Sequence, residues 1–406
     1  MRHSDVVIVG GGFAGSLAAG MLDLAGINTV LVDLHPTYPA DFRCEKLDGV
    51  QLDTLRLTGL ADAVIRASTP DHGHWVARFG RIVERRPGDQ RGVLYENLVN
   101  IVRSQISDRT AFIHAKVVDV ATGPEQQTIT LSTGEVISAR LVILATGLNI
   151  GLCHKLGIER EITSAGHSIA VGFDAEPANE GAFSFPSLTY FAERPTDRMA
   201  YITLFPIGST IRANLFAYRN LHDPWFKEFR GAPQDTLYRM WPNLRRLMGD
   251  FTVPGFIKVR PIDLYVSKGY HQDGVVLVGD AFATSCPAAG TGARKVLTDV
   301  ERLCNVYVPR WLATAGMGTA KIAAFYDDPL KQACDARSAR KAYELRSYSI
   351  DPTLSWTAMR WAKFFVHWGK GTLRQLTAAQ GSSPDPAANL IPKDEPKWVV
   401  EPLARK

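Results

Sequence analysis

The segment from Val6 to Asp33, VVIVGGGFAGSLAAGMLDLAGINTVLVD, constrains the fold more than any other part of the chain. An apolar strand leads into three glycines, a helix pattern follows them, and Asp33 ends a second apolar strand. Gly10 closes the tight turn, Gly12 lets the backbone approach a pyrophosphate, and Gly15 lets helix and strand pack closely. Asp33 lies where a carboxylate accepts hydrogen bonds from the ribose hydroxyls of a dinucleotide. The N-terminus of the helix favours anions such as the phosphates. The segment therefore predicts a strand, helix, strand unit that binds the ADP half of a dinucleotide.

Two further strand-and-turn segments lie far along the chain. Residues 275 to 303, VVLVGDAFATSCPAAGTGARKVLTDVERL, form an apolar strand that runs into Gly279 and Asp280, then into a loop rich in proline and glycine ahead of a helix. Residues 140 to 158, RLVILATGLNIGLCHKLGI, form another apolar strand followed by a turn that contains Gly147. The three segments frame nearly the whole chain.

Together the three segments resemble the group A flavoprotein monooxygenases, the family of p-hydroxybenzoate hydroxylase. The resemblance implies an α/β fold with a Rossmann-like FAD-binding domain of the glutathione reductase type, an antiparallel β-sheet substrate domain and a helical C-terminal region. The residues that it implies in FAD binding are Gly10, Gly12, Phe13, Ala14, Gly15, Asp33, Arg43, Val117, Gly147, Asp280, Pro287, Gly290, Thr291 and Gly292. In that family the counterpart of Asp280 binds the ribityl and pyrophosphate region, residues like 287–292 lie against the isoalloxazine ring, and an arginine near Arg43 contacts the nucleotide.

The activity that the resemblance implies is FAD-dependent monooxygenation. Reduced flavin and O₂ would give a C4a-hydroperoxide that hydroxylates a small aromatic or other electron-rich organic substrate, while the protein binds, orients and excludes water. The cofactor carries this chemistry. We therefore assign no catalytic side chain and no metal ligand from the sequence.

The source of electrons is open at this point. Family members carry an Asp-Gly motif tied to NADPH binding where this chain has Thr-Gly-Leu-Asn at 146–149, an arginine where Tyr95 stands and an asparagine where Arg294 stands. The chain also shows no second nucleotide-binding pattern. Reduction would come from NAD(P)H as a transient visitor or from a separate flavin reductase. Arg294 would place a fixed positive charge near the flavin or form a surface ion pair.

Three other functions are compatible with the residues. A flavin-dependent halogenase shares the framework and needs a lysine between flavin and substrate, for which Lys46 and Lys295 are candidates, although the Trp-x-Trp-x-x-Pro signature is missing. A reductase similar to geranylgeranyl reductases would saturate double bonds in long apolar chains. A flavin-bound partner protein without catalysis would dock through the basic helix face at Arg360–Arg374.

The domain boundaries follow changes of pattern along the chain. We expect the FAD-binding domain at 1–168 and 269–310, the substrate sheet at 169–268, a helical region at 311–380 and a polar tail at 381–406. Apolar and polar residues alternate in the sheet region, which predicts a sheet with one covered face. The candidate pocket residues on it are Phe183, Phe185, Tyr190, Phe205 and Phe216. Arg212 and Arg260 stand in strand-like sequence and need partners, with the protein's own acids favoured over a substrate carboxylate.

Two stretches show helical spacing. Residues 42–64 predict one amphipathic helix after the first nucleotide unit. Near the C-terminus, basic residues at 360, 363, 367, 370 and 374 share one helix face beside aromatic residues. The favoured interpretation is a helix that packs its aromatic side chains on the domain and keeps its charges in water. A membrane-surface or partner-docking helix is the alternative.

Composition narrows the remaining classes. The 406 residues are 46% hydrophobic with a net charge of +5, which suits a large core and shows no nucleic-acid-binding pattern. Five scattered cysteines, an odd number without a C-x-x-C pair, argue against a disulfide framework or a zinc site. No apolar run reaches the length of a membrane span. We expect a cytoplasmic protein with a small-molecule substrate, no nucleic-acid partner and no transmembrane segment.

Overall fold

The computed structural model describes residues 2–379, with the side chains of 2–369. In chain order the strands are β1 Arg2–Val9, β2 Thr29–Asp33, β3 Lys46–Leu47, β4 Thr69–Pro70, β5 His74–Arg78, β6 Arg81–Arg86, β7 Arg91–Gly92, β8 Ala111–His114, β9 Val117–Ala121, β10 Gln127–Leu131, β11 Val136–Leu144, β12 Glu159–Pro177, β13 Leu188–Phe191, β14 Met199–Ile207, β15 Thr210–Ala217, β16 Phe251–Thr252, β17 Lys258–Lys268 and β18 Val275–Leu277.

The helices are α1 Phe13–Leu24, α2 Gly49–Arg56, α3 Ala61–Ala67, α4 Tyr95–Arg103, α5 Gly151–Lys155, α6 Pro224–Gly231, α7 Pro233–Met240, α8 Leu244–Met248, α9 Gly292–Arg302, α10 Val308–Leu312, α11 Thr319–Tyr326, α12 Pro329–Ile350 and α13 Leu354–Ala379. A π-helical turn at Leu303–Tyr307 joins α9 to α10. Turns of 3-10 helix lie at Pro195–Asp197, Gly279–Ala281 and Pro287–Ala289.

The first sheet is built around the glycine-turn segment. Its strands lie in the order β8, β2, β1, β11, β10, β9, and β18 pairs with the end of β11. Strand β1 is parallel to both β2 and β11, so the carboxyl ends of these strands meet at one edge. In open α/β sheets this edge is where ligands bind. Strands β1, β2 and β11 are largely buried runs of Val, Ile and Leu, as expected for parallel strands that are covered on both faces.

The second sheet is antiparallel except for one pair. Its strands lie in the order β16, β12, β15, β14, β13, β5, β6, and β17 pairs with β12. Strand β13 is parallel to β5, which brings residues 74–86 into a sheet otherwise formed by residues 159–268. The predicted α/β fold class, a Rossmann-like unit joined to a largely antiparallel sheet, is confirmed. The domain boundaries stay a prediction.

Alternation along the strands decides which face of the second sheet Tyr190, Phe205 and Phe216 occupy, whereas Phe183 and Phe185 lie in the loop before β13. One face packs against α6, α7 and α8, and it holds Phe185 and Tyr190 with Phe183 at its margin. Phe205 and Phe216 lie on the opposite face, where Phe216 packs with the loop after β18. We call this opposite face, with Tyr201, Thr203, Phe205 and Phe216, the inner face. The five predicted pocket aromatics are therefore divided, because three of them are covered by helices.

Residues 42–64 form a short strand and two helices rather than the single helix that their spacing predicts. Strand β3 pairs with β7, and Asp48 then caps α2 in a reciprocal capping box with Gln51. Helix α2 ends before Gly59, whose φ of +77° is a left-handed conformation that stops a helix. Helix α3 starts afresh at Ala61.

The last helix, α13, follows the prediction at Phe364, which is buried, and departs from it at Arg360, Trp361 and Phe365. Arg360 is buried and donates to the carbonyls of Tyr348 and Asp351, both at 2.9 Å, while Trp361 and Phe365 lie exposed. The prediction that aromatic side chains pack inward and charges face water is wrong for these residues. The physical reason is that the last carbonyls of α12 need donors, and the guanidinium supplies them. Residues 370 and 374 lie outside the described side chains.

Within residues 2–379, no helix combines the length and the apolar character needed to cross a membrane. Over the same residues, no three His, Cys, Asp or Glu side chains converge as a metal site requires. All five cysteines are free thiols.

Candidate dinucleotide site

The turn between β1 and α1 is shaped by its glycines. Gly10 has a φ of +99°, and a Cβ there would overlap the carbonyl of Ala145, just after β11. A Cβ on Gly15 would overlap the Gly10 carbonyl, so this glycine allows helix and strand to pack closely. Gly12 differs, because the nearest atoms to a Cβ there are 3.8 Å away. Gly10 and Gly15 are therefore closely packed, whereas the space beside Gly12 is open. A backbone cradle for a pyrophosphate requires such an open space.

Tyr95, the first residue of α4, lies at the N-terminus of α1. Its hydroxyl accepts a hydrogen bond from the amide of Phe13 at 3.4 Å, one residue before Ala14, and its ring meets Tyr38 edge-on at 5.6 Å between centroids. Burial raises the pKa of the Tyr95 phenol, so the hydroxyl keeps its proton at neutral pH. The chain therefore has a neutral hydroxyl group at the N-terminus of α1.

Asp33 lies at the carboxyl end of β2, where the sequence predicts a ribose-binding acid. Its Oδ2 accepts from the Gly11 amide at 2.6 Å, and its Oδ1 lies 3.3 Å from Nη2 of Arg103. Arg103 is buried and also donates to the carbonyls of Gly11 at 2.9 Å and of His35 at 2.7 Å. These bonds fix the glycine turn relative to the end of β2. Arg103 is not among the site residues predicted from the sequence. It stands two turns after Tyr95 on the apolar face of α4, and a charged residue on such a face indicates a buried partner.

Arg43 and Asp280 meet in the middle of a chain of charges. Nη1 of Arg43 lies 3.0 Å from Oδ2 of Asp280, and its Nε lies 2.6 Å from Oδ2 of Asp41. Arg260 of β17 reaches Oδ1 of Asp41 at 3.0 Å, which confirms a protein acid as its partner. Burial by itself would raise the pKa of Asp41, but the two guanidinium groups lower it. The side chains of Arg43 and Asp280 keep 24% and 32% of their surface exposed, so both can reach a bound nucleotide.

Buried charges hold the turn that carries Asp280. The amide of Gly279 donates to Oδ2 of Asp299 at 3.0 Å, and Oδ1 of the same acid lies 2.9 Å from Nζ of Lys331. Lys331 also pairs with Asp335 at 2.9 Å. Because Lys331 is fully buried, loss of its charge would leave the buried Asp299 carboxylate uncompensated. This network underlies the turn, and the sequence patterns do not reveal it.

The loop before α9 lies against the inner face of the second sheet. Pro287 begins its 3-10 turn, Gly290 adopts a left-handed φ of +67°, and Gly292 starts the helix. The hydroxyl of Tyr201, on the inner face, donates to the Ala288 carbonyl at 2.6 Å. The sequence predicts this loop beside a flavin ring, and the structure brings it next to the sheet predicted to bind substrate.

Two other elements fix the same loop. The side-chain amide of Gln51, from α2, donates to the Gly290 carbonyl at 3.0 Å. The hydroxyl of Thr291 shares a hydrogen bond of 2.6 Å with Ser338 of α12. The loop is therefore tied to the N-terminal part of the chain, to the second sheet and to the C-terminal helices.

The two lysines considered for halogenation lie in different places. Lys295 is buried behind the loop at 287–292. Its Nζ lies 3.1 Å from Asp335 and donates a hydrogen bond to the Ala283 carbonyl, also at 3.1 Å. Lys46 instead donates to Oγ1 of Thr203, on the inner face, at 3.1 Å. Burial lowers the pKa of Lys46 to about 8. Of these two lysines, only Lys46 faces the sheet predicted to bind substrate.

A buried cluster of charges also lies beside the inner face. Arg212 of β15 is 3.2 Å from Asp174 and 3.6 Å from Glu45, so it too pairs with protein acids as favoured. Burial raises the pKa of Glu45 to about 7, although Arg212 acts to lower it. Oε1 of Glu45 has no hydrogen-bond partner among the described residues. The carboxyl group is therefore poised between its neutral and charged forms near neutral pH.

Two further predicted residues lie in the first sheet. Val117 is buried at the start of β9, shortly after β8, which pairs with β2 as far as Asp33. Gly147 adopts a φ of +57° in the turn after β11, with open space where a Cβ would stand. Val117 begins one strand of the first sheet, and Gly147 lies three residues after the end of another. Their contacts with a nucleotide stay a prediction.

Comparison with known sequences points to one family. The family model described as FAD binding domain matches residues 3–321. A curated relative, aklavinone 12-hydroxylase of Streptomyces peucetius subsp. caesius, is 24% identical over 340 residues, or 72% of this chain. The match spans 65% of the length of that relative.

Solved structures share the fold over most of the chain. The p-nitrophenol 4-monooxygenase of Pseudomonas putida DLL-E4 has a TM-score of 0.74 at 14% identity and covers 94% of this chain and 98% of its own. A flavin-dependent brominase has a TM-score of 0.67 at 18% identity, covering 91% and 94%. At such identities the likeness establishes the fold. With the family model matched across most of its length, this chain belongs to the FAD-binding domain family, as its three glycine-bearing segments predict.

Proposed function

We propose that this protein is an FAD-dependent monooxygenase that hydroxylates a small, electron-rich organic molecule. The observation that carries the proposal is the contact between Arg43 and Asp280, because it brings two distant nucleotide-binding segments together. The loop at 287–292, which follows Asp280 in sequence, lies against the inner face of the second sheet. The relative named as a hydroxylase supports this type of reaction.

The residues at this place fit FAD. The cradle at Gly12 and the N-terminus of α1 would hold the pyrophosphate, and Asp33 would bind the adenosine ribose. Arg43 and Asp280 would bind between the phosphates and the ribityl chain. Residues 287–292 would lie at the isoalloxazine ring, where the N-terminus of α9 stabilises negative charge.

Bound, reduced FAD would supply the chemistry, which is activation of O₂ and transfer of one oxygen atom to the substrate. The protein's own residues would bind the substrate, orient it and exclude water. On the inner face, Lys46 and Thr203 place an ammonium group with a pKa of about 8 beside a hydroxyl. This pair suits a substrate oxygen that is anionic or accepts hydrogen bonds, such as the oxygen of a phenol.

The electrons would come from NAD(P)H as a transient reductant or from a separate flavin reductase. Addition of NADPH to the FAD-loaded protein without O₂ separates the two sources. Rapid bleaching of the flavin absorbance would show direct reduction. Bleaching only after a flavin reductase is added would show that the electrons are delivered by a partner.

The test of the proposed reaction is a single turnover. FAD-loaded protein is photoreduced without O₂, mixed with O₂ and a panel of phenols and aromatic amines, and the products are analysed by mass. A product with one additional oxygen atom supports the proposal. Failure of the purified protein to bind FAD, or reoxidation with no oxygen transfer to any compound, contradicts it.

Halogenation is the second candidate because Lys46 lies on the inner face and a brominase shares the fold. The same single turnover in the presence of bromide distinguishes the two reactions. A brominated product that disappears in Lys46→Met, with FAD binding and reduction unchanged, would favour a halogenase. A product that gains oxygen but no bromine would favour hydroxylation.

A further inference from the structure

We propose that α13 is an interfacial helix that binds this protein to the surface of an anionic lipid membrane. The surface that would enter the lipid is the outward face, which we define as Leu354, Met359, Trp361, Phe365 and Val366. These five apolar side chains remain 45% to 87% exposed. Contiguous exposed apolar patches on a soluble protein mark interaction sites, whereas scattered single residues do not. The proposal is independent of the reaction proposed above.

The charged side of α13 is the side that packs against the protein. Arg360 bonds two carbonyls at the end of α12, and the Lys363 ammonium lies 4.6 Å from the ring centroid of Tyr348. Nδ1 of His367 lies 3.2 Å from the carboxylate of Glu84. A surface helix ordinarily buries its apolar stripe and turns its charges to water. Helix α13 turns Arg360 inward beside the buried Phe364 and leaves its outward face available to a partner.

Ring contacts hold the helix in this orientation. Phe364 is buried against Val76 and Val83 of the hairpin formed by β5 and β6. One side of Trp361 stacks on Phe79 at 4.6 Å between centroids. Rolling the outward face inward would break both contacts and expose Arg360. The exposed surface is therefore a fixed feature of the fold.

Charge favours an anionic surface as the partner. The sequence from 352 to 384 has no Asp or Glu, and besides the buried Arg360 it carries Lys363, Lys370 and Arg374. An amphipathic helix with Trp and Phe on one side and Lys or Arg beside them lies in the plane of a membrane interface. Basic residues near an anionic membrane surface are attracted to its negative potential.

The chemistry of the outward face favours lipid over a protein partner. Its five side chains are aliphatic, thioether or aromatic, and Ala358 and Ala362 lie between them. A protein interface carries roughly one hydrogen bond per 100–200 Å². A lipid interface requires none, and only the indole N–H of Trp361 among the five is a donor, which suits the boundary between headgroups and acyl chains.

The experiment is flotation of the full-length, FAD-loaded protein with two kinds of vesicle. One is phosphatidylcholine alone, and the other contains roughly one-third phosphatidylglycerol, which gives a negative surface potential. We expect partitioning into the anionic vesicles to be at least about tenfold stronger than into the neutral ones, and to weaken as salt screens the surface charge.

The paired variant Phe365→Glu/Val366→Glu tests the outward face. It should lower partitioning at least about tenfold, because two carboxylates enter an apolar and anionic interface. The matched control is Leu221→Glu/Phe256→Glu, which adds the same charge at two exposed apolar residues elsewhere, 44% and 91% exposed. This control should float like the parent protein. FAD absorbance and the unfolding temperature are measured for each protein, and Val366→Glu alone replaces the pair if the pair fails to fold.

Three results would overturn the proposal. The first is a parent protein that stays unbound to the anionic vesicles, and the second is equal flotation of the outward-face variant and its control. The third is a dimer of the parent protein, seen by light scattering, that the outward-face variant dissociates, because a second copy then covers the face. Strong flotation that only the outward-face variant loses would support the lipid surface.

Discussion

Nη1 of Arg43 lies 3.0 Å from Oδ2 of Asp280, although 237 positions separate the two residues in the chain. The contact joins the segment after the first glycine turn to the turn after β18. Asp41 binds the other edge of the same guanidinium at 2.6 Å. Arg43 therefore stays paired when Asp280 is altered, and the role of each residue in cofactor binding can be tested separately.

Asp280→Ala should lose FAD while the fold survives. The carboxylate is about one-third exposed, so its ion pair contributes little to stability, but a charge-assisted contact to the cofactor is worth about tenfold or more in affinity. FAD absorbance per chain after desalting measures retention, and the unfolding temperature checks the fold. Asp280→Asn keeps the shape of the side chain, and its FAD retention should lie between that of the parent protein and that of Asp280→Ala. Full FAD occupancy in Asp280→Ala would contradict the assignment.

Gly12→Ala should weaken FAD binding, whereas Gly15→Ala should weaken folding. Gly12 has φ −70° and ψ −168°, which alanine adopts, so that variant should fold normally and bind FAD more weakly. A methyl group on Gly15 overlaps the Gly10 carbonyl and should cost about 1–3 kcal/mol of folding free energy. Denaturant unfolding and FAD titration of both variants check this. Wild-type FAD affinity in Gly12→Ala would argue against a pyrophosphate cradle.

Arg103→Met should destabilise the protein by about 3 kcal/mol, because the buried Arg103 pairs with Asp33 and donates to two carbonyls. Arg103→Lys keeps the charge but cannot make the same set of bonds, so its loss should be smaller. The free energy of unfolding in urea measures both. Equal stabilities for the two variants would mean that only the packing volume of the side chain matters.

Glu45 should make stability depend on pH. Burial raises its pKa from 4.5 to about 7 in the folded protein, so between these values the folded state holds a proton that the unfolded state has released. The contribution of Glu45 to stability is therefore highest below pH 4.5, falls as the pH rises towards 7, and is constant above that. Glu45→Gln, neutral throughout, should remove this slope. Unfolding free energies measured across the range for both proteins are decisive, and parallel curves would refute the prediction.

Lys331→Met should cost about 3–5 kcal/mol, since it leaves the buried Asp299 without its cation, whereas Asp335 keeps Lys295 at 3.1 Å. The double variant Lys331→Met/Asp299→Asn should recover part of the loss, because the uncompensated carboxylate is gone. Chemical unfolding of the single and double variants gives the coupling free energy. A coupling near zero would show that the two groups do not stabilise each other.

Local patterns predicted the nucleotide-binding elements well. The crowding at Gly10 and Gly15 involves residues within one turn or one neighbouring strand, and apolar runs such as 141–144 lie buried wherever they sit in a parallel sheet. The secondary structure of residues 42–64 is harder to predict, because the spacing of their leucines suits one helix as well as a strand and two helices. There the left-handed backbone at Gly59 decided the outcome.

The sequence by itself determined the glycine turns, the apolar strands, the acid at the end of β2 and hence the FAD-binding family, because these depend on neighbours along the chain. Only the tertiary structure decided that Arg103 bonds Asp33, that Lys46 reaches Thr203 and that three aromatics of the second sheet lie beneath helices. It also decided the outward face of α13, since the end of α12 captures Arg360. A charged side chain goes where a distant partner can satisfy it, and that partner is known only once the chain has folded.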